Sequence, residues 1–146
     1  RRYANMVKNG GFEALEKLSG EAKKYIAPLP IDYEPDEEAA GMFGLMMMTS
    51  GKQTDPENVA KAQALKDATM GWFIAQNLKS KFVHLNGNYH SDFKKGIITY
   101  LNKYRPGLKI ATVCSVRQDD IKKLGEENEG RADFYICVPT DMTMTY

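Results

Sequence analysis

The spacing of apolar residues changes near residue 80, and that change does more than any other feature to limit the folds open to this chain. Up to that point apolar side chains recur at helical spacing. Asp55 followed by Pro56 places a side-chain acceptor at a helix N-cap and a proline at the first helical position. The spacing predicts a long helix from there to about residue 79. Its stripe is Val59, Ala62, Leu65, Ala68 and Thr69, Trp72, Ala75 and Leu78, with Lys61, Lys66 and Gln76 falling elsewhere. Beyond residue 80 short β-like runs take over, at 81–86, 108–116 and 132–138. Between the first two, Ser91 can cap a helix lined by Phe93, Ile97, Leu101 and Tyr104, ended by Arg105, Pro106 and Gly107. Between the last two, residues 119–127 read as a short polar helix. Crossovers of that length favour parallel strands with helices packed on the sheet. The expected fold is α/β, a mainly parallel sheet flanked by helices. It is read as a single domain over 1–146, helical in 1–80 and strand-helix-strand-helix-strand in 81–146.

The helical part begins with a predicted hairpin. Phe12, Leu15 and Leu18 share a face, Ser19 caps a second helix over 21–26, and Pro28 and Pro30 end it. Residues 28–36 form an extended connector. Helix is expected again over 37–49, where Ala39, Met42, Phe43, Met46 and Met47 keep helical spacing despite Gly41 and Gly44. Residues 51–55 are a loop.

Composition narrows the function classes. The 146 residues carry 20 basic and 19 acidic side chains, a formal net charge of +1, which lacks the basic footprint of a nucleic-acid binder. Paired lysines at 23–24, 94–95 and 122–123 are interleaved with acids and read as solvated surface. No apolar run approaches the roughly 18–20 residues that span a bilayer. Cys114 and Cys137 both lie in β-branched runs and read as small buried hydrophobes; a disulfide is possible if their strands are neighbours, so they leave the redox compartment open. With Arg1 first and no leader or lipidation signal, a processed chain or a fragment is expected.

Chemistry concentrates in one short element. Both histidines of the chain, His84 and His90, fall in the run Phe82-Val-His-Leu-Asn-Gly-Asn-Tyr-His-Ser-Asp92. Ligands of open α/β sheets bind beyond the carboxyl ends of strands, where Asn86, His90 and Asp92 are expected. Gly87 permits a positive φ or a close backbone approach, and amides of 91–93 can hold a carboxylate or phosphate. His84 reads better as a satisfied core histidine on a covered strand, His90 as a ligand or acid/base group. Asp92 is either part of that site or a first-turn acid favoured by the helix dipole. Two histidines and a carboxylate can complete a metal triad, but their spacing matches no standard zinc motif. Met42, Met46, Met47 and Met48 allow a soft-metal or haem-pocket reading, with packing the stronger one. Tyr89, Tyr100 and Tyr104 are packing residues or, near His90, possible ligands of ferric haem iron. No Gly-x-Ser-x-Gly elbow and no Gly-x-Gly-x-x-Gly or phosphate loop is present.

Four stretches taken in order carry a resemblance: Arg1-Arg-Tyr-Ala-Asn-Met6, Leu65-Lys-Asp-Ala-Thr-Met70, the 84–92 element with its Asn-Gly-x-x-His-x-Asp pattern, and Val138-Pro-Thr-Asp-Met142. Together they resemble the ChaN family of haem-binding uptake lipoproteins, related to the Tiki and erythromycin-esterase-like proteins. The Gly-Glu-x-His strand motif and acidic helices with which that family opens are not in this sequence, so the resemblance is to its C-terminal half. It implies haem binding in iron acquisition at the cell envelope, periplasmic or outer-membrane-anchored. His90, Asn86, Gly87, Tyr89 and Asp92 would contact the cofactor, and His90 and His84 any metal. It further implies pairing about haem as a homodimer, or association with the missing N-terminal half, either burying a large apolar interface. Membrane contact would come only through a lipid anchor that this chain does not carry. The alternative from another class is a metal-dependent hydrolase of the Tiki kind, with His90 as ligand and an acidic residue as base. A scaffold whose site has decayed is the third reading.

Overall fold

The computed structural model describes residues 1–35, 41, 43–45 and 54–143. The chain divides into two compact units, Arg1–Asn77 and Leu78–Tyr146. It is a mixed helix and strand structure, in agreement with the α/β expectation.

In the first unit, helix α1 spans Arg2–Gly10, a single-turn 3-10 segment follows at Phe12–Leu15, and helix α2 spans Gly20–Lys23. Gly11, at φ 63°, makes the turn between the first two in a conformation that a side chain would strain. Ser19 caps α2 as expected, its Oγ accepting from the Ala22 amide at 3.2 Å. The helix is shorter than the 21–26 reading, ending at Lys23. Helix α3, Pro56–Asn77, matches the long helix expected from the sequence. At its start Asp55 Oδ1 accepts from the Glu57 amide at 3.0 Å, the bond that an N-cap aspartate is suited to make. Asp55→Ala should therefore lower stability by about 1 kcal/mol in thermal or denaturant unfolding.

The buried side of α3 is broader than the single stripe. Val59, Ala60, Ala62, Leu65, Asp67, Ala68, Gly71, Ile74 and Ala75 are all buried, while Trp72 is only half-buried. Helix α1 packs along this side, and the small residues there let the two backbones approach closely. Val7, Leu15 and Leu65 are its largest fully enclosed side chains. Ala27, beyond α2, is tied to the same helix by its amide, which donates to Thr69 Oγ1 at 3.2 Å. Of the expected 37–49 helix, Gly41 and residues 43–45 are helical, and Phe43 packs with Val59, Ala60 and Tyr33. Met42, Met46, Met47 and Met48 lie outside the described residues.

In the second unit, strands β1, Val113–Gln118, and β2, Phe134–Pro139, form a two-stranded parallel sheet with Val113 opposite Phe134 and Gln118 opposite Pro139. Their parallel sense is the one the sequence predicts. The expected third strand is not formed: residues 81–86 are irregular and 81–85 are exposed. β-propensity describes how a side chain suits a paired, half-buried surface, and among the described residues this stretch has no neighbouring strand to supply one. Helix α4, Ile97–Tyr104, begins after Gly96 at φ 57° and not at Ser91. Phe93 and Lys94 both have φ 56°, which breaks the helical path before it starts.

The predicted 119–127 helix is replaced by turns and a 3-10 segment at Glu126–Asn128. Polar side chains here satisfy the backbone in a non-helical form. Gln118 Nε2 donates to the Lys123 carbonyl at 2.6 Å, its Oε1 accepts from the Gly125 amide at 3.2 Å, and Asp120 Oδ1 accepts from Lys122 at 2.9 Å. Strand β1 alternates, burying Cys114, Val116 and Gln118 and exposing the residues between, so it is covered on one face and not on two. Cys114 stands opposite Tyr135 and Cys137 opposite Val116, and both thiols are free. They are diagonal neighbours, about 7–8 Å apart by strand geometry, beyond the reach of a disulfide.

Candidate functional site

Residues 81–95 run from an exposed apolar stretch into two successive 3-10 turns, Asn88–His90 and Asp92–Lys94. Val83 and Leu85 are 83% and 89% exposed, and Phe82, Tyr89 and Phe93 are exposed as well. His84 lies between Val83 and Leu85 in the open, not in a strand, which removes the core-histidine reading. His90 is half-buried, with its ring edge-to-face against Tyr89 at 5.6 Å. The two imidazoles sense each other. Partial desolvation lowers the pKa of His84 from 6.5, and the charge of His90 lowers it further.

The turn carrying His90 is closed from within. Its amide donates to the Gly87 carbonyl and that of Ser91 to the Asn88 carbonyl, both at 2.9 Å. Asn86 Nδ2 donates to the Gly87 carbonyl at 2.9 Å and to Ser91 Oγ at 3.0 Å, so Asn86 shapes the turn. Gly87 sits at φ −69°, ordinary extended backbone, with open space where a side chain would be. Its value here is access to the backbone, not conformational freedom.

Asp92 is held on both oxygens by protein. Its Oδ2 accepts from Arg131 Nη2 at 2.7 Å and Nε at 3.2 Å, and its Oδ1 lies 3.6 Å from the Cys114 thiol that donates to it. Burial pushes the Cys114 thiol pKa up and the Asp92 charge adds to it. Arg131 also donates from Nη1 to Asn128 Oδ1 at 2.7 Å. Its own pKa is raised, first by the bond to Asp92. The Phe93 amide donates to the Arg131 carbonyl at 2.8 Å. With the Ser91 and Phe93 amides already engaged, the anion cradle expected at 91–93 is not laid out as a helix start would lay it.

Further along, Lys94 Nζ pairs with Asp133 Oδ1 at 2.7 Å, while Asp133 Oδ2 accepts from the Thr112 amide and hydroxyl at 2.8 and 3.0 Å. The Lys94 bond, then those to Thr112, pull the Asp133 carboxyl down to about 2. Asn88 Nδ2 reaches β1, donating to the Ser115 carbonyl at 2.8 Å.

Asn86, Gly87, Tyr89 and His90 thus lie in or beside the first of two successive turns and Asp92 opens the second, with His84 on the exposed run leading to them. Tyr100 and Tyr104 sit on α4, stacked at 6.4 Å with Tyr100 buried, and serve packing. Among the described residues no three His, Cys, Asp or Glu side chains converge as a metal site would require. Sequence reading missed Arg131, Asp133 and Asn88. Arg131 is 39 positions from Asp92, and nothing in local spacing announces such a pair.

The chain belongs to the family described as haem-binding uptake, Tiki superfamily, ChaN, which matches residues 1–101. The family's description implies haem-binding uptake. The match takes in the 1–6, 65–70 and 84–92 stretches and stops before 138–142. No curated protein and no solved structure matches the chain.

Proposed function

We propose that this chain binds haem on the 82–93 segment of its second unit and works in iron acquisition at the cell envelope. The observation that carries the reading is the exposed run of Phe82, Val83 and Leu85 flanking His84 and leading to His90, all within the residues the family matches. Phe82, Val83, Leu85, Tyr89 and Phe93 supply apolar contact, each now leaving apolar surface in water. His90 would hold the iron through a ring nitrogen, and Asn86 and Gly87 form the turn that presents it. His84 stands as a second imidazole for the same iron. Asp92 supports the turn through its bonds to Arg131. Bound haem would supply an iron that a histidine nitrogen can ligate. A second copy of the chain, or the rest of the domain to which the family resemblance points, would cover the opposite haem face.

Haem titration of the chain followed by absorbance tests this. A saturable change of the Soret band, at one haem per one or two chains, is expected. It should be lost when Phe82, Val83 and Leu85 are together replaced by serine. A signal that rises linearly without saturation, the same in parent and variant, would overturn the reading.

A further inference from the structure

Three contacts fix the segment after His90 to one short stretch of chain just ahead of β2. They are the Asp92–Arg131 ion pair, the Phe93 amide bond to the Arg131 carbonyl, and the Lys94–Asp133 ion pair. Between and beside these contacts, Phe93 and Lys94 hold φ 56°, a conformation that side chains keep only when their surroundings over-determine it. Arg131 is the centre of the arrangement. Its guanidinium joins Asp92 to Asn128, a buried residue, and its carbonyl holds Phe93. The planar fork of arginine suits this double attachment, which a single ammonium cannot reproduce.

We infer that Arg131, through Asp92, is a positioning residue that sets the pose of His90. The ion pair is partly screened from water, with side chains 24% and 18% exposed, so it is stronger than a surface pair. Released from it, Phe93 and Lys94 would relax out of the left-handed region. The turn at 88–90, joined to them through Ser91, would lose one of its two anchors and keep only the Asn88 bond to β1. This rests on the haem reading for its consequence, but the pose of His90 can be followed without haem. Arg131 lies outside residues 1–101 that the family matches.

The test uses R131A, R131K and D92N in the whole chain. In the haem-free protein, the ring-proton NMR signals of His90 should move in R131A and D92N toward those of the denatured chain. The amides of the β1–β2 ladder should stay protected from exchange. R131K should fall between R131A and the parent. Haem affinity should drop about tenfold or more in R131A, as expected for loss of a charged hydrogen-bond pair behind the ligand. Unmoved His90 signals with parent-like haem affinity in R131A would overturn the inference. So would collapse of the ladder in all three variants, since the pair would then support the unit in general. If the parent itself takes up no haem while the His90 signals move as described, the haem reading fails and the positioning role stands.

Discussion

Leu65→Ala is expected to destabilise the first unit by about 2–5 kcal/mol, the range for removing a large aliphatic side chain from a closed interior. Leu65 is 2% exposed at the middle of α3, on the side against which α1 packs, and Val7 and Leu15 are the other large side chains enclosed there. A methyl group in its place leaves a cavity lined by groups that have lost their contacts on one side. The surrounding alanines and Gly71 are too short to fill it. Denaturant unfolding read by the fluorescence of Trp72, the single tryptophan and a residue of the same helix, reports the loss directly. Gln76→Ala, on the exposed side of α3, should stay within about 0.5 kcal/mol of the parent. Equal midpoints for the two variants would mean that the α1–α3 contact does not hold the unit together.

The elements that the sequence made legible are those decided by local chemistry. Asp55 and Pro56 mark the start of α3 because capping and a preset φ act within one turn. Ser19 marks α2 for the same reason. The runs containing β1 and β2 were visible as β-branched stretches, and the length of chain between them favoured a parallel sense. What stayed hidden depends on partners far away in sequence. Residues 81–86 look like a strand, but a strand also needs a neighbour, and none is beside them. Residues 119–127 look like a polar helix, but Gln118 and Asp120 give their backbone other bonds. Ser91 looked like a cap, yet the pull of Arg131 on Asp92 and of Asp133 on Lys94 turns the chain out of the helix. In the site, the cluster of His84, Asn86, Gly87 and His90 was legible because it is contiguous. The roles within it were not, because exposure of His84 and capture of Asp92 follow from those long-range contacts.

On the haem reading, His90→Ala is expected to weaken haem binding by about 1–3 kcal/mol, roughly five- to 150-fold in Kd, and by more if the whole axial bond is lost. His90 is the imidazole in a turn closed by its own backbone bonds and tied to β1 through Asn88, so less freedom is lost when it meets the ligand. His84 sits in an exposed run between Val83 and Leu85, and fixing it on a ligand costs more ordering. His84→Ala should therefore weaken binding less than His90→Ala does. An exposed imidazole contributes little packing, so its removal should change stability by no more than about 0.5 kcal/mol. The position of the Soret band separates loss of a ligand from loss of apolar contact: His90→Ala should shift the band of the complex, whereas Leu85→Ser should reduce affinity with the band unmoved. If His90→Ala binds as tightly as the parent and only His84→Ala loses affinity and shifts the band, then the exposed imidazole is the ligand and the turn merely borders the haem.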